Sequence, residues 1–127
     1  MKPHFHQLDV DDESSITRLC EHLKSTYGGL DILVNNAAIA FKAAATEPFG
    51  LQATETLRTN FFSNLKLCQV LFPILRPHAR VVNVSSSVGF LGKVCGEEPA
   101  SGELRKKLSS PDLTVDELCS LMQGFIE

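Results

Sequence analysis

The period of the hydrophobic positions changes several times along this chain, and each change marks an element. Ile32 to Val34 is a short apolar run, preceded by Gly28-Gly29 and followed at once by Asn35-Asn36. A run of that length between glycines and amides reads as a strand buried on both faces. Arg80 to Gly89, R-V-V-N-V-S-S-S-V-G, repeats the design and ends in hydroxyls. Phe5 to Val10 alternates well enough for a third, short strand ending near Asp9.

Elsewhere the period is helical. Ile16, Leu19, Cys20, Leu23 and Tyr27 form one continuous stripe, which Asp11 or Asp12 can cap and Glu13 favours electrostatically. Gly28-Gly29 supplies a left-handed stop. From about Leu51 to Leu75 the spacing predicts a second helix. Its buried stripe is Phe61, Leu65, Cys68, Phe72 and Leu75, and it is ended by Pro73 and Pro77. Glu97 to Leu108 suits a short polar helix, and Ser109 to Asp112 a turn. Thr114-x-x-Glu117 is a capping box that opens a last helix, with Leu118, Leu121, Met122, Phe125 and Ile126 on one face.

Strand, helix, strand, helix, strand is the order of an α/β fold with right-handed parallel crossovers. Ligands of such sheets lie past the carboxyl ends of the strands. Asn35, Asn36 and the hydroxyls of residues 85–87 therefore suggest one shared crevice.

Composition narrows the function. The 127 residues allow one domain with a core, and a net charge of −3 offers nothing to nucleic acid or an anionic membrane. Arg105, Lys106 and Lys107 read as a solvated helix face. No apolar segment approaches the ~20 residues of a membrane span, and no signal peptide opens the chain. Cys20, Cys68, Cys95 and Cys119 show no C-x-x-C spacing, so no zinc or redox pair is indicated and a reduced, cytoplasmic location is expected. His4 and His6 would share a strand face, but no further ligand follows at a convincing spacing, so no metal is expected.

Three motifs in this order carry a resemblance. Asn35-Asn36-Ala37-Ala38 follows a strand, Asn60 sits in R-T-N-F-F on a helix, and V-V-N-V-S-S-S-V-G ends a further strand. Together they resemble the short-chain dehydrogenase/reductase family. F-H-Q-L-D-V-D-D, Y-G-G-L-D and N-N-A-A-I-A-F-K look like that family's monomeric carbonyl reductases, which reduce ketones, aldehydes and quinones with NADPH. The likeness runs from about Phe5 to the end, with about 93–127 matching a helical insertion of those reductases.

The resemblance implies a partial doubly wound, Rossmann-type parallel sheet with flanking helices. It also implies roles for residues. Asp9 and Val10 would touch the adenine of the cofactor, and Asn36, Ala37 and Ala38 would let backbone approach its ribose. Ser86 would hydrogen-bond the substrate carbonyl, and Asn60, at a break in its helix, would hold a water of the proton relay. Phe41, Lys42, Ala43 and Gln52 would line the substrate pocket.

Two departures from the family pattern shape the expectation. Ala38 stands where the family has glycine, a cost if that position needs positive φ. More severely, the chain carries neither the family's T-G-x-x-x-G-x-G loop nor its Y-x-x-x-K pair, and Tyr27 is the single tyrosine. In the strand order 3-2-1-4-5-6 the chain would supply only strands 3, 4 and 5, so the Phe5 strand loses its neighbour. The expectation is a central fragment of a monomeric enzyme, not competent alone and at best marginally folded. The alternative is a short, non-catalytic product that binds a protein through the Leu118–Ile126 stripe.

Overall fold

The computed structural model describes residues 2–94 and 96–126, which divide into two compact units, one running to Asn83 and one from Val84.

In the first unit, α1 (Glu13–Tyr27) is capped by Asp12, whose carboxylate accepts the Ser14 N–H at 2.9 Å. It ends at Gly28, where φ is 74° and the N–H returns to the Lys24 carbonyl at 3.0 Å. Of the predicted stripe, Ile16 and Cys20 are buried, Leu19 and Leu23 pack beside them, and Tyr27 is exposed. Gly29 is buried between turn and strand; a Cβ there would stand 3.0 Å from the Ile74 carbonyl.

Strands β1 (Leu30–Asn35) and β2 (Leu75–Asn83) pair in parallel, with Ile32 opposite Arg80 and Asn35 opposite Asn83. Regular pairing starts at Arg80, where the hydrophobic run begins. Residues 76–79 form an irregular extension, with Pro77 lacking a donor and His78 held at φ 66°. The core is Leu33 of β1 with Ile16, Cys20, Leu67, Leu71 and Ile74.

Two-sided burial is not what the structure shows. The helices of this unit cover the Leu33 face, while Ile32 and Val34 on the opposite face are 61% and 53% exposed. The Phe5–Val10 strand is also absent. The segment is irregular, and only Val10 packs against the core. The physical reason lies in the backbone: a strand is fixed by its neighbour's ladder, and no described strand flanks this one.

The predicted second helix is broken into α2 (Phe49–Leu57), a π-helical turn (Arg58–Ser63), α3 (Asn64–Leu71) and a 3₁₀ turn at Phe72–Ile74. Its buried face also differs from the predicted stripe. Leu67, Leu71 and Ile74 face the sheet, continued by Thr59 and Ser63, whereas Phe61, Leu65 and Cys68 are half-buried and Phe72 is exposed. Leu75 has already entered β2.

In the second unit, α4 (Ala100–Leu108) begins a turn later than the sequence suggests, and α5 (Val115–Ile126) opens on the predicted box. Glu117 accepts the Thr114 N–H at 2.9 Å, and Thr114 Oγ1 accepts the Glu117 N–H at 3.2 Å. No residue of α5 is fully buried. Among the described residues no helix is long and apolar enough to cross a membrane.

Candidate functional site

β1 delivers two asparagines with opposite fates. Asn35 points into the protein, where its Nδ2 donates to Asn83 Oδ1 at 2.8 Å and to the Cys68 thiol at 3.3 Å. Its Oδ1 is buried without a hydrogen-bond partner. Asn36, one residue on, is exposed, as are Ala37 and Ala38. Alternation along the strand explains the difference. The carboxyl end of β1 therefore offers a polar side chain and a stretch of nearly bare backbone.

The loop that follows is fastened from the π turn. Asn60 Oδ1 accepts the Ile39 N–H at 2.8 Å, and Asn60 Nδ2 donates to the Ile39 carbonyl at 2.9 Å. Both ends of the amide are thus occupied by the main chain of one residue, Ile39. The Asn60 carbonyl takes the Asn64 side chain at 3.2 Å. A π turn carries one more residue than an α turn, and such turns are frequent where a side chain must be re-aimed.

On the approach to α1, the Asp9 N–H donates to Ser15 Oγ at 2.9 Å, and Asp9 Oδ1 accepts the Asp11 N–H at 2.9 Å. Val10, Asn36 and Ala37 line one pocket of about 80 Å³ with Val34, Asn35 and Asn64. Three of the expected cofactor residues therefore meet at one notch beside β1.

The sequence reading missed Asp11. With Asp12 serving as the cap, the Asp11 carboxylate reaches the π turn, accepting from Ser63 at 2.6 Å and Thr59 at 2.9 Å and pairing with Arg58 at 2.7 Å. Burial raises its pKa, but the Ser63 and Thr59 hydroxyls and the Arg58 charge outweigh that, and the carboxyl titrates below the usual aspartate value. The available signal was the pair Asp11-Asp12, since a helix start needs only one cap.

The model of the short chain dehydrogenase family matches residues 1–97. The chain belongs to that family. It is 49% identical over 127 residues to carbonyl reductase (NADPH) 1 of Bos taurus and 46% identical to carbonyl reductase (NADPH) 3 of Homo sapiens. All of this chain is aligned in both cases, but only 44% of either relative, so it spans less than half of their length. Among solved structures, menthone neomenthol reductase from Mentha piperita aligns with a TM-score of 0.77 at 26% identity. That alignment covers 95% of this chain and 53% of the other.

In this chain the glycine-to-alanine departure from the family is mild. His78 is the one non-glycine residue with positive φ among the described residues, so Ala38 needs no left-handed backbone and its methyl is exposed. Phe41 is half-buried, and Lys42 and Ala43 lie exposed in a turn closed by the Ala45 N–H on the Lys42 carbonyl at 2.9 Å. Gln52 is turned toward its own helix entrance, donating to the Glu47 carbonyl at 2.8 Å.

Ser86 belongs to the second unit. It is exposed and caps a 3₁₀ turn at Ser87–Gly89, its Oγ accepting the Val88 N–H at 3.3 Å. Its hydroxyl proton has no acceptor in that contact and stays available to donate. No cluster of three or more metal-ligating side chains occurs among the described residues. The ring of His6 stacks on His22 at 4.7 Å. Cys20 is buried, Cys68 and Cys119 are half-buried, and Cys95 lies outside the described residues.

Proposed function

We propose that this chain is the central part of an NADPH-dependent carbonyl reductase that converts ketones, aldehydes and quinones to alcohols. The observation that carries the reading is the 49% identity, over every residue of the chain, to a carbonyl reductase of which it spans 44%. The bare backbone at Asn36, Ala37 and Ala38, past the end of a parallel strand, suits the close approach of a nucleotide ribose. Asp9 and Val10 would meet the adenine, and Phe41, Lys42, Ala43 and Gln52 would form one wall for the carbonyl compound. When bound, the nicotinamide supplies the hydride.

The residues of this chain would do the rest of their part through hydrogen bonds. Ser86 donates to the carbonyl oxygen and stabilises the negative charge that develops there. Asn60 fastens the Ile39 backbone, and a water of the proton path would be held at the second lone pair of its own main-chain carbonyl. The complete enzyme, which we take to be a cytoplasmic monomer, would add a glycine-rich loop for the pyrophosphate and a Y-x-x-x-K pair to protonate the alkoxide. The 127 residues alone would not turn over.

The test is NADPH oxidation by the natural protein that carries this sequence, offered a quinone, an aldehyde and a ketone, beside the 127-residue chain. Turnover by the natural protein alone is expected. No turnover of any carbonyl class by the natural protein would overturn the reading. Exposure along α5, where no residue is fully buried, favours one second reading, a short product that binds a protein partner through that helix.

A further inference from the structure

A π turn lacks the close internal packing of an α turn, so its geometry has to be imposed by what it touches. Here two carboxylates touch the turn at Arg58–Ser63: Glu55 pairs with Arg58 alone, at 2.7 Å, whereas Asp11 reaches three of its residues. Asp11 accepts from Thr59 near its start and from Ser63 at its end, and both hydroxyl-bearing residues are buried, at 4% and 9% exposure. Arg58, the first residue of the turn, closes on the same carboxylate from the outside at 2.7 Å. Three contacts to one group fix the rotation of the turn about its axis. Asn60 lies between the anchored residues, and its amide bonds both main-chain groups of Ile39.

The other side of Asp11 runs back to the entering segment. Its own N–H is held by Asp9 Oδ1 at 2.9 Å. One continuous set of hydrogen bonds therefore joins Asp9 to Asp11, Asp11 to the π turn, and Asn60 of that turn to Ile39 in the loop after β1. These are the segments assigned above to the adenine, to the proton path and to the ribose and substrate.

We propose that Asp11 is a positioning residue for Asn60: its carboxylate sets the π turn so that the Asn60 amide clamps the Ile39 backbone. The positioning is a property of this fold, and only its catalytic meaning rests on the function proposed above. Charge is part of the device, because a carboxylate accepts from both hydroxyls at once, whereas an amide presents one acceptor and one donor to two donors.

The experiment reads the Ile39 amide directly. The natural full-length protein is labelled at isoleucine nitrogen, and the Ile39 resonance is assigned from its loss in Ile39→Val. In Asp11→Asn and in Thr59→Val the Ile39 resonance should move and its hydrogen exchange should quicken about tenfold, as loss of one hydrogen bond predicts. Thr59→Ser, which keeps the hydroxyl, should leave both unchanged. Gly28→Ala, at the far end of α1 from Asp11, should lower stability without moving the native Ile39 resonance. If Asp11→Asn does not fold, the volume-conserving Thr59→Val decides. An unmoved Ile39 resonance in folded Thr59→Val would overturn the proposal. A moved resonance in a protein without NADPH oxidation would leave Asp11 as the positioning residue and overturn only the reading of function.

Discussion

The two units of this chain are ordered by different means. Residues up to Asn83 share a core in which helices α1 and α3 meet β1 through Ile16, Cys20, Leu33, Leu67 and Leu71, contacts that join distant parts of the sequence. From Val84 onward Ser101 is the single buried residue among those described, and order comes from neighbours in sequence. Glu98 takes Ser101, Gly102 and Arg105, and Thr114 and Glu117 cap each other. The difference teaches where each unit is vulnerable: the first loses stability through its core and buried polar link, the second through single caps.

The largest effect should come from the core. Leu71 is 1% exposed, and Leu71→Ala should cost about 3 kcal/mol. With the Ile32 and Val34 face exposed, the isolated 127-residue chain is expected to be only marginally folded, and that loss should unfold its first unit in a urea titration. A sharp two-state melt of the unsubstituted chain would contradict the expected marginality.

Next in size is the buried polar link. Asp11→Ala strands the hydroxyls of Thr59 and Ser63 and should cost about 2 kcal/mol. Its pH dependence has a definite sign. The folded carboxyl titrates below its ordinary value of 3.8, so its contribution is fully present at neutral pH. It is lost as pH falls through the folded value, which places the loss in acid below about pH 4. A stability-against-pH series should show this acid limb, and Asp11→Asn should flatten it.

Gly28→Ala should cost about 1 kcal/mol, since φ of 74° is strained for a residue with a Cβ. Thr114→Ala should have the smallest global effect. Hydrogen exchange should quicken in the first turn of α5, while the amides of β1 and β2 keep their protection. Loss of protection in β1 after Thr114→Ala would break the contrast between the units.

Much of the fold was legible because its signals are local. The α1 stripe with its aspartate cap and Gly28 stop, the β1 run and the Thr114 box each depend on residues within a few positions, whereas the break at Asn60 came from the family resemblance and not from the helical period. What failed depends on distant partners. The Phe5–Val10 alternation is real, yet a strand needs a ladder that no strand among the described residues supplies. The buried face after Asn60 was misread because Thr59 and Ser63 look polar. They share that face with Leu67 and Leu71 because Asp11, far upstream, satisfies them. Of the site, Val10, Asn36 and Ala37 do meet at one pocket. The clamp of Asn60 on Ile39 has no sequence signature beyond the asparagine itself.

The central claim is that these residues work as the middle of a larger reductase, and the most direct test is the size of the endogenous protein. An immunoblot with an antibody to the segment from Thr114 onward should show a band at more than twice the 13.9 kDa of this chain, as its 44% share of the bovine relative requires. A single band at 13.9 kDa would contradict the claim and leave a binding role as the reading to pursue.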